Sequence, residues 1–201
     1  AASTGTITFT TATTALSDTS ANLAVALNGT TNHNAAVTVT NADYTAAELA
    51  TINNGTAGAI TLNTTNTALS GTAANLAAAF AGTVTEHTGT VTITDAPSVT
   101  ELKAINAGTT GAITLNVTNG ALSGSSSDLA AAFAGTVTEH TGTVTITNAD
   151  YTVAELKTIN AATTGAITLN TTDTALSGTS ADLALAFAGT VTEHTGTIGI
   201  S

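Results

Sequence analysis

The stretch Gly142–Thr195, GTVTITNADYTVAELKTINAATTGAITLNTTDTALSGTSADLALAFAGTVTEHT, decides the fold, because it recurs along the whole chain. Its marker histidines, His33, His87, His140 and His194, follow one another at nearly constant intervals. A fixed period in this range is the mark of an array in which each unit buries its apolar face against the next. Residues 1–201 are therefore expected to form a single solenoid domain of nearly four repeats, and each repeat divides into two related strand-helix halves.

Strands are expected where β-branched residues alternate: Thr6–Thr10, Ala36–Thr40, Ala59–Asn63, Thr90–Thr94, Ala112–Asn116, Thr143–Thr147, Ala166–Asn170 and Thr197–Ser201. Between them, one kind of half carries Ala46, Leu49 and Ile52, then Val99, Leu102 and Ile105, then Val153, Leu156 and Ile159, an apolar stripe on a short helix. Thr45 with Glu48, Ser98 with Glu101 and Thr152 with Glu155 have the spacing of a capping box, and Gly58, Gly111 and Gly165 follow as expected left-handed exits. The other half pairs Leu23 with Leu27, Leu76 with Phe80, Leu129 with Phe133 and Leu183 with Phe187, closed by Gly29, Gly82, Gly135 and Gly189. Parallel strands joined by crossovers predict a right-handed α/β solenoid, with one parallel sheet of about eight short strands backed by helices. The insert TVTEHT is expected to add a short strand at the edge, and a parallel β-helix is the alternative fold.

Two basic residues face thirteen acidic ones, a net charge of −11, which argues against nucleic-acid binding. The chain has no Cys, so it has neither disulfides nor a thiolate chemistry, and no run of about 18 apolar residues predicts membrane insertion. Charged residues are only 7 %, and threonine fills about a quarter of all positions. That composition belongs to a repetitive, β-rich extracellular or surface protein.

The Glu-His pairs at 86–87, 139–140 and 193–194 suggest acid-base or metal chemistry, but successive copies should stand about 9.6 Å apart, too far to share an ion. They are read as solvated loop residues. No nucleophile elbow accompanies them, so no enzymatic activity and no cofactor are expected. Asp43, Asp95, Asp150 and Asp173 are the candidate calcium ligands, although Asp173 takes a place held by Asn66 and Asn119, an exchange typical of turns and caps. In one continuous sheet, Thr8, Thr38, Thr61, Thr92, Thr114, Thr145 and Thr168 would form an outward ladder. Such a ladder is similar to the ice-binding face of threonine-rich antifreeze solenoids, which makes ice binding the alternative function.

The sequence opens on one kind of strand and closes on the other, without polar caps or an initiating Met. The expectation is a processed or excised N-terminus and self-association head to tail through the terminal strands.

The phrases SDTSANLA (Ser17–Ala24), SGTAANLAAAF (Ser70–Phe80) and NADYTVAELKTIN (148–160) resemble the tandem repeats of very large secreted or cell-surface bacterial proteins of the adhesin and matrix type. The resemblance covers nearly the whole chain and implies a spacer, fibre or adhesive role outside the cell, without catalysis. The calcium-binding nonapeptides of some such proteins have no counterpart here.

Overall fold

The structure, a computed structural model, describes residues 8, 10, 11, 13–30 and 33–201. Among these, eleven three-residue parallel strands in small sheets alternate with seven helices, and no barrel closes. The first group is β1 (Leu16–Asp18), α1 (Ser20–Leu27), β2 (Val37–Val39), α2 (Ala46–Gly55) and β3 (Ile60–Leu62). The second is β4 (Leu69–Gly71), α3 (Ala73–Ala79), β5 (Val91–Ile93), α4 (Val99–Gly108) and β6 (Ile113–Leu115). The third is β7 (Leu122–Gly124), α5 (Ser126–Ala132), β8 (Val144–Ile146), α6 (Val153–Ala162) and β9 (Ile167–Leu169). Last come β10 (Leu176–Gly178), α7 (Ser180–Ala186) and β11 (Ile198–Ile200).

Seven of the expected strands lie at the centres of their windows, while the eighth, Thr6–Thr10, falls largely outside the described residues. The single sheet of about eight strands is not what forms. The strands make three three-stranded sheets, β1-β2-β3, β4-β5-β6 and β7-β8-β9, and the pair β10-β11. The cause is a set of strands that alternation does not reveal: β1, β4, β7 and β10, which read Leu-Ser-Asp or Leu-Ser-Gly. Val91 and Val144 pair back onto Leu69 and Leu122, and not onto Ile60 and Ile113. The register steps from Leu69 to Val91 and from Val91 to Ile113 are long and equal, each spanning a helix. The next step, from Ile113 to Leu122, is short and helix-free, and there a new sheet starts. The repeat length is made of those three steps.

The far edge of each third strand is taken by the insert. Ile60 donates to Thr83 O at 2.8 Å and accepts from the Thr85 amide at 2.9 Å, with Ile113 and Ile167 doing the same with the next two inserts. Thr85, Thr138 and Thr192 then end the ladder by accepting the Leu62, Leu115 and Leu169 amides on their hydroxyls, each at 3.2 Å.

All three expected capping boxes are formed, at Thr45, Ser98 and Thr152. The apolar stripes of α2, α4 and α6 are buried, and one cluster of buried side chains runs from Leu23 to Ala186. Gly29, Gly82, Gly135 and Gly189 take positive φ, as the exits of the short helices require. Gly58, Gly111 and Gly165 do not. Their reason is contact: a Cβ on Gly111 would lie 1.8 Å from Gly89 O, and one on Gly165 1.7 Å from Gly142 O. Consecutive helices pack side by side from α1 to α7. Among the described residues no helix is long and apolar enough to cross a membrane.

Candidate functional site

The recurring histidines lie inside the stack. His33, His87 and His140 are 2 %, 0 % and 2 % exposed, and His194 is half-buried, so they are not solvated loop residues. Only their neighbours Glu86, Glu139 and Glu193 face solvent. Phe80, Phe133 and Phe187, from the ends of α3, α5 and α7, place their rings 5.6, 5.8 and 5.5 Å from His87, His140 and His194. Tyr44 and Tyr151 stand edge-on to His87 and His194, and their hydroxyls donate to the carbonyls of Thr64 and Thr171.

Both ring nitrogens are used. Nε2 of His33, His87, His140 and His194 faces the carbonyls of Thr14, Thr67, Gly120 and Thr174 at 3.0, 2.7, 2.7 and 2.8 Å. A carbonyl only accepts, so Nε2 carries the proton and Nδ1 keeps its lone pair. That lone pair faces the hydroxyls of Thr56, Thr109 and Thr163 at 2.7, 3.4 and 3.3 Å. Each hydroxyl is a hub: it lies within donating distance of the same histidine's carbonyl and accepts the amide of Gly58, Gly111 or Gly165. One imidazole thereby ties three successive passes of the chain. Burial pushes His87 and His140 below the usual imidazole pKa, which keeps them neutral at pH 7.

His194 is the exception. Among the described residues its buried Nδ1 has no hydrogen-bond partner. Beside it, β11 pairs among the described residues with β10 on one side only, and Ile198 and Ile200 are 44 % and 73 % exposed although their counterparts Val144 and Ile146 are fully buried.

The acidic candidates are not gathered. Asp95 accepts the Ala73 amide at the start of α3, the work that Asn41 and Asn148 do for Ser20 and Ser126. Asp43 and Asp150 accept from the side chains of Asn41 and Asn148, which hold both carboxyls below the ordinary aspartate pKa, and Asp173 is exposed. Among the described residues no three His, Asp or Glu side chains are placed to hold a metal ion.

The threonine ladder is interrupted. Thr38 pairs with Thr61, Thr92 with Thr114 and Thr145 with Thr168, but the next positions are Ser17, Ser70 and Ser123, and Thr8 lies outside the strands. The insert edge separates Thr61 from Thr92 and Thr114 from Thr145, so hydroxyls form triplets in place of one column. An open groove of about 400 Å³ between α6 and β10 holds Lys157, already paired with Asp182 at 2.6 Å.

Sequence reasoning misses the His-Thr ties, although a signal is there: Thr56, Thr109 and Thr163, each followed two positions later by Gly, recur at a nearly constant interval after His33, His87 and His140. No family model matches the chain, and no curated protein or solved structure matches it either.

Proposed function

We propose that this chain is a structural extracellular repeat protein, a right-handed α/β solenoid that serves as a fibre subunit or as the rod of an adhesin, and that it extends by end-to-end stacking of strands. The observation that carries the reading is where the polar groups go. The buried histidines, the hub threonines and the capping carboxylates hydrogen-bond from one pass of the chain to the next, so the chemistry of the repeat is used in holding its neighbours.

The handedness follows from the rule for crossovers between parallel strands. A head-to-tail contact of this kind does not close, so it builds a filament rather than a ring. Negative-stain electron microscopy of the purified chain over a dilution series, with calcium and with chelator, tests the reading. Filaments of uniform width that lengthen with concentration are expected. Discrete particles at every concentration would overturn polymerisation, and loss of filaments in chelator would add calcium to the assembly.

A further inference from the structure

Five stretches of the chain read Asn-x-Thr with a residue other than proline between, the acceptor pattern for N-linked sugar: Asn28–Thr30, Asn54–Thr56, Asn63–Thr65, Asn116–Thr118 and Asn170–Thr172. The last three are one site repeated. Each asparagine is the first residue after the third strand of its sheet, β3, β6 or β9, and its backbone amide donates to Val39 O, Ile93 O or Ile146 O at 3.1, 3.0 and 3.1 Å. The ladder thus fixes the backbone, and strand alternation turns the side chain away from the core, to the side of Thr61, Thr114 and Thr168.

All three asparagines are exposed, and among the described residues their side-chain amides make no hydrogen bond. That sets them apart from the asparagines that tie the stack: Asn41 and Asn148 bond to Ser20 and Ser126, and Asn53, Asn106 and Asn160 to helix carbonyls. The hydroxyl two residues on, the other half of the pattern, sorts the five stretches. The hydroxyls of Thr65, Thr118 and Thr172 bond to those of the exposed Thr88, Thr141 and Thr195 at 3.1, 3.1 and 3.0 Å. By contrast, Thr30 is buried and bonds to Leu27 O and Gly55 O at 2.8 and 2.6 Å, and Thr56 is the hub beside His33. Of the five, a transferase that meets the folded chain finds amide and hydroxyl together at the surface only at Asn63, Asn116 and Asn170.

We infer that Asn63, Asn116 and Asn170 are acceptors for N-linked sugar added to the folded chain, one per repeat along the strand side of the stack. The inference rests on the proposed extracellular role and deepens it. The donor is a sugar activated as a diphosphate ester. The amide nitrogen forms a bond to the anomeric carbon, the bond from that carbon to the diphosphate oxygen breaks, the diphosphate leaves with the electron pair, and one amide proton passes to a base of the transferase. Sugar on that side covers the hydroxyl triplets of the sheets and leaves the helices bare.

Mass spectrometry of proteolytic peptides provides the test, on the full-length chain taken separately from the surface and from the interior of the cells that make it. Sugar is expected on Asn63, Asn116 and Asn170 of the surface chain, and none on Asn28 or Asn54. A single sugar at each site would assign a nucleotide diphosphate donor, and an assembled oligosaccharide a lipid diphosphate donor. Thr65→Ala should lose the sugar of Asn63 alone and keep the other two, whereas Thr65→Ser should keep all three; far-UV circular dichroism checks that both variants fold. A surface chain bare at the three asparagines would overturn this inference and leave the extracellular reading standing. Equal occupancy of all five stretches would overturn the sorting by the fold. A chain found only inside the cell would refute the extracellular reading itself.

Discussion

Replacing His140 by alanine separates a structural tie from a solvated side chain. In the native fold the ring is almost fully buried, donates from Nε2 to Gly120 O at 2.7 Å and packs 5.8 Å from Phe133. Alanine removes one hydrogen bond worth about 1 kcal/mol net, strands a part-buried carbonyl at about 1 to 2 kcal/mol, and loses about 1 kcal/mol of ring packing. The total is about 3 to 4 kcal/mol. His194 provides the control, since it makes the same Nε2 bond to Thr174 O at 2.8 Å but is half-buried and lacks the Nδ1 partner. Its alanine variant is expected to lose about 2 kcal/mol. Native-state hydrogen exchange reads both at equivalent amides: Gly142 donates to Thr118 O at 3.1 Å and Gly196 to Thr172 O at 3.0 Å. Protection of Gly142 should fall at least about 100-fold in His140→Ala, and that of Gly196 about 30-fold in His194→Ala. A loss under about tenfold at Gly142, or equal losses at both sites, would refute the assignment of the imidazole as a cross-tie.

Acidification should weaken the fold through the same residues. In the unfolded chain a histidine takes its proton near pH 6.5, but burial lowers the folded values of His87 and His140, so the unfolded state binds more protons in between. Stability is full above about pH 6.5, declines as pH falls through that value toward the lowered folded pKa, and stops declining below it. Thermal melts between about pH 7 and 5 should show the drop, and His87→Gln with His140→Gln should flatten it; an unchanged slope counts against buried neutral imidazoles. Gly165→Ala should be destabilising by more than about 3 kcal/mol, because its Cβ would meet Gly142 O at 1.7 Å, whereas Gly178→Ala meets only Val153 Cγ1 at 3.4 Å and should be near neutral. Urea titrations compare the two, and equal effects would remove the close-approach argument. Asn106→Ala deletes two bonds, to Ala131 O at 2.8 Å and Ala134 O at 2.7 Å, between α4 and α5. Loss of about 2 kcal/mol and a second, separate step in the urea curve are expected, and a single unshifted transition would argue that the helices are joined by packing alone.

What the sequence reveals is what periodicity and short-range chemistry encode. The repeat is visible in the histidine spacing, the helix starts in pairs such as Thr152 and Glu155, and seven strands in β-branched alternation. The Leu-Ser-Gly strands are not visible, because a short run ending in glycine carries no β signal; they become strands by pairing with Val91, Val144 and Ile198. Glycine is ambiguous in the same way: Gly135 is needed for its positive φ and Gly165 for its missing Cβ, and the letter is identical. A histidine next to a glutamate reads as polar surface because its burial depends on hydroxyls and carbonyls from the passes of the chain before and after it.

The interrupted sheets pose a mechanical question for the proposed rod, since a stack whose ladder restarts after every third strand should come apart there. Two kinds of cross-tie answer it, and they alternate. The His-Thr pairs 33–56, 87–109 and 140–163 act inside each three-stranded sheet, joining the segments that follow α1 and α2, α3 and α4, and α5 and α6. At the breaks, Asn53, Asn106 and Asn160 reach from α2, α4 and α6 to carbonyls in the last turns of α3, α5 and α7. The two lysines of the chain stand at breaks as well, Lys103 on Asp128 and Lys157 on Asp182, where exposure keeps their contribution small. The insert bridges Ile60–Val84, Ile113–Val137 and Ile167–Val191 cross the same breaks on the strand side. Each junction is thus held on both faces by bonds that the neighbouring junction does not use. Among the described residues no junction is held by packing alone, and this gives a protein with few charges and almost no aromatic side chains the continuity that the proposed rod requires.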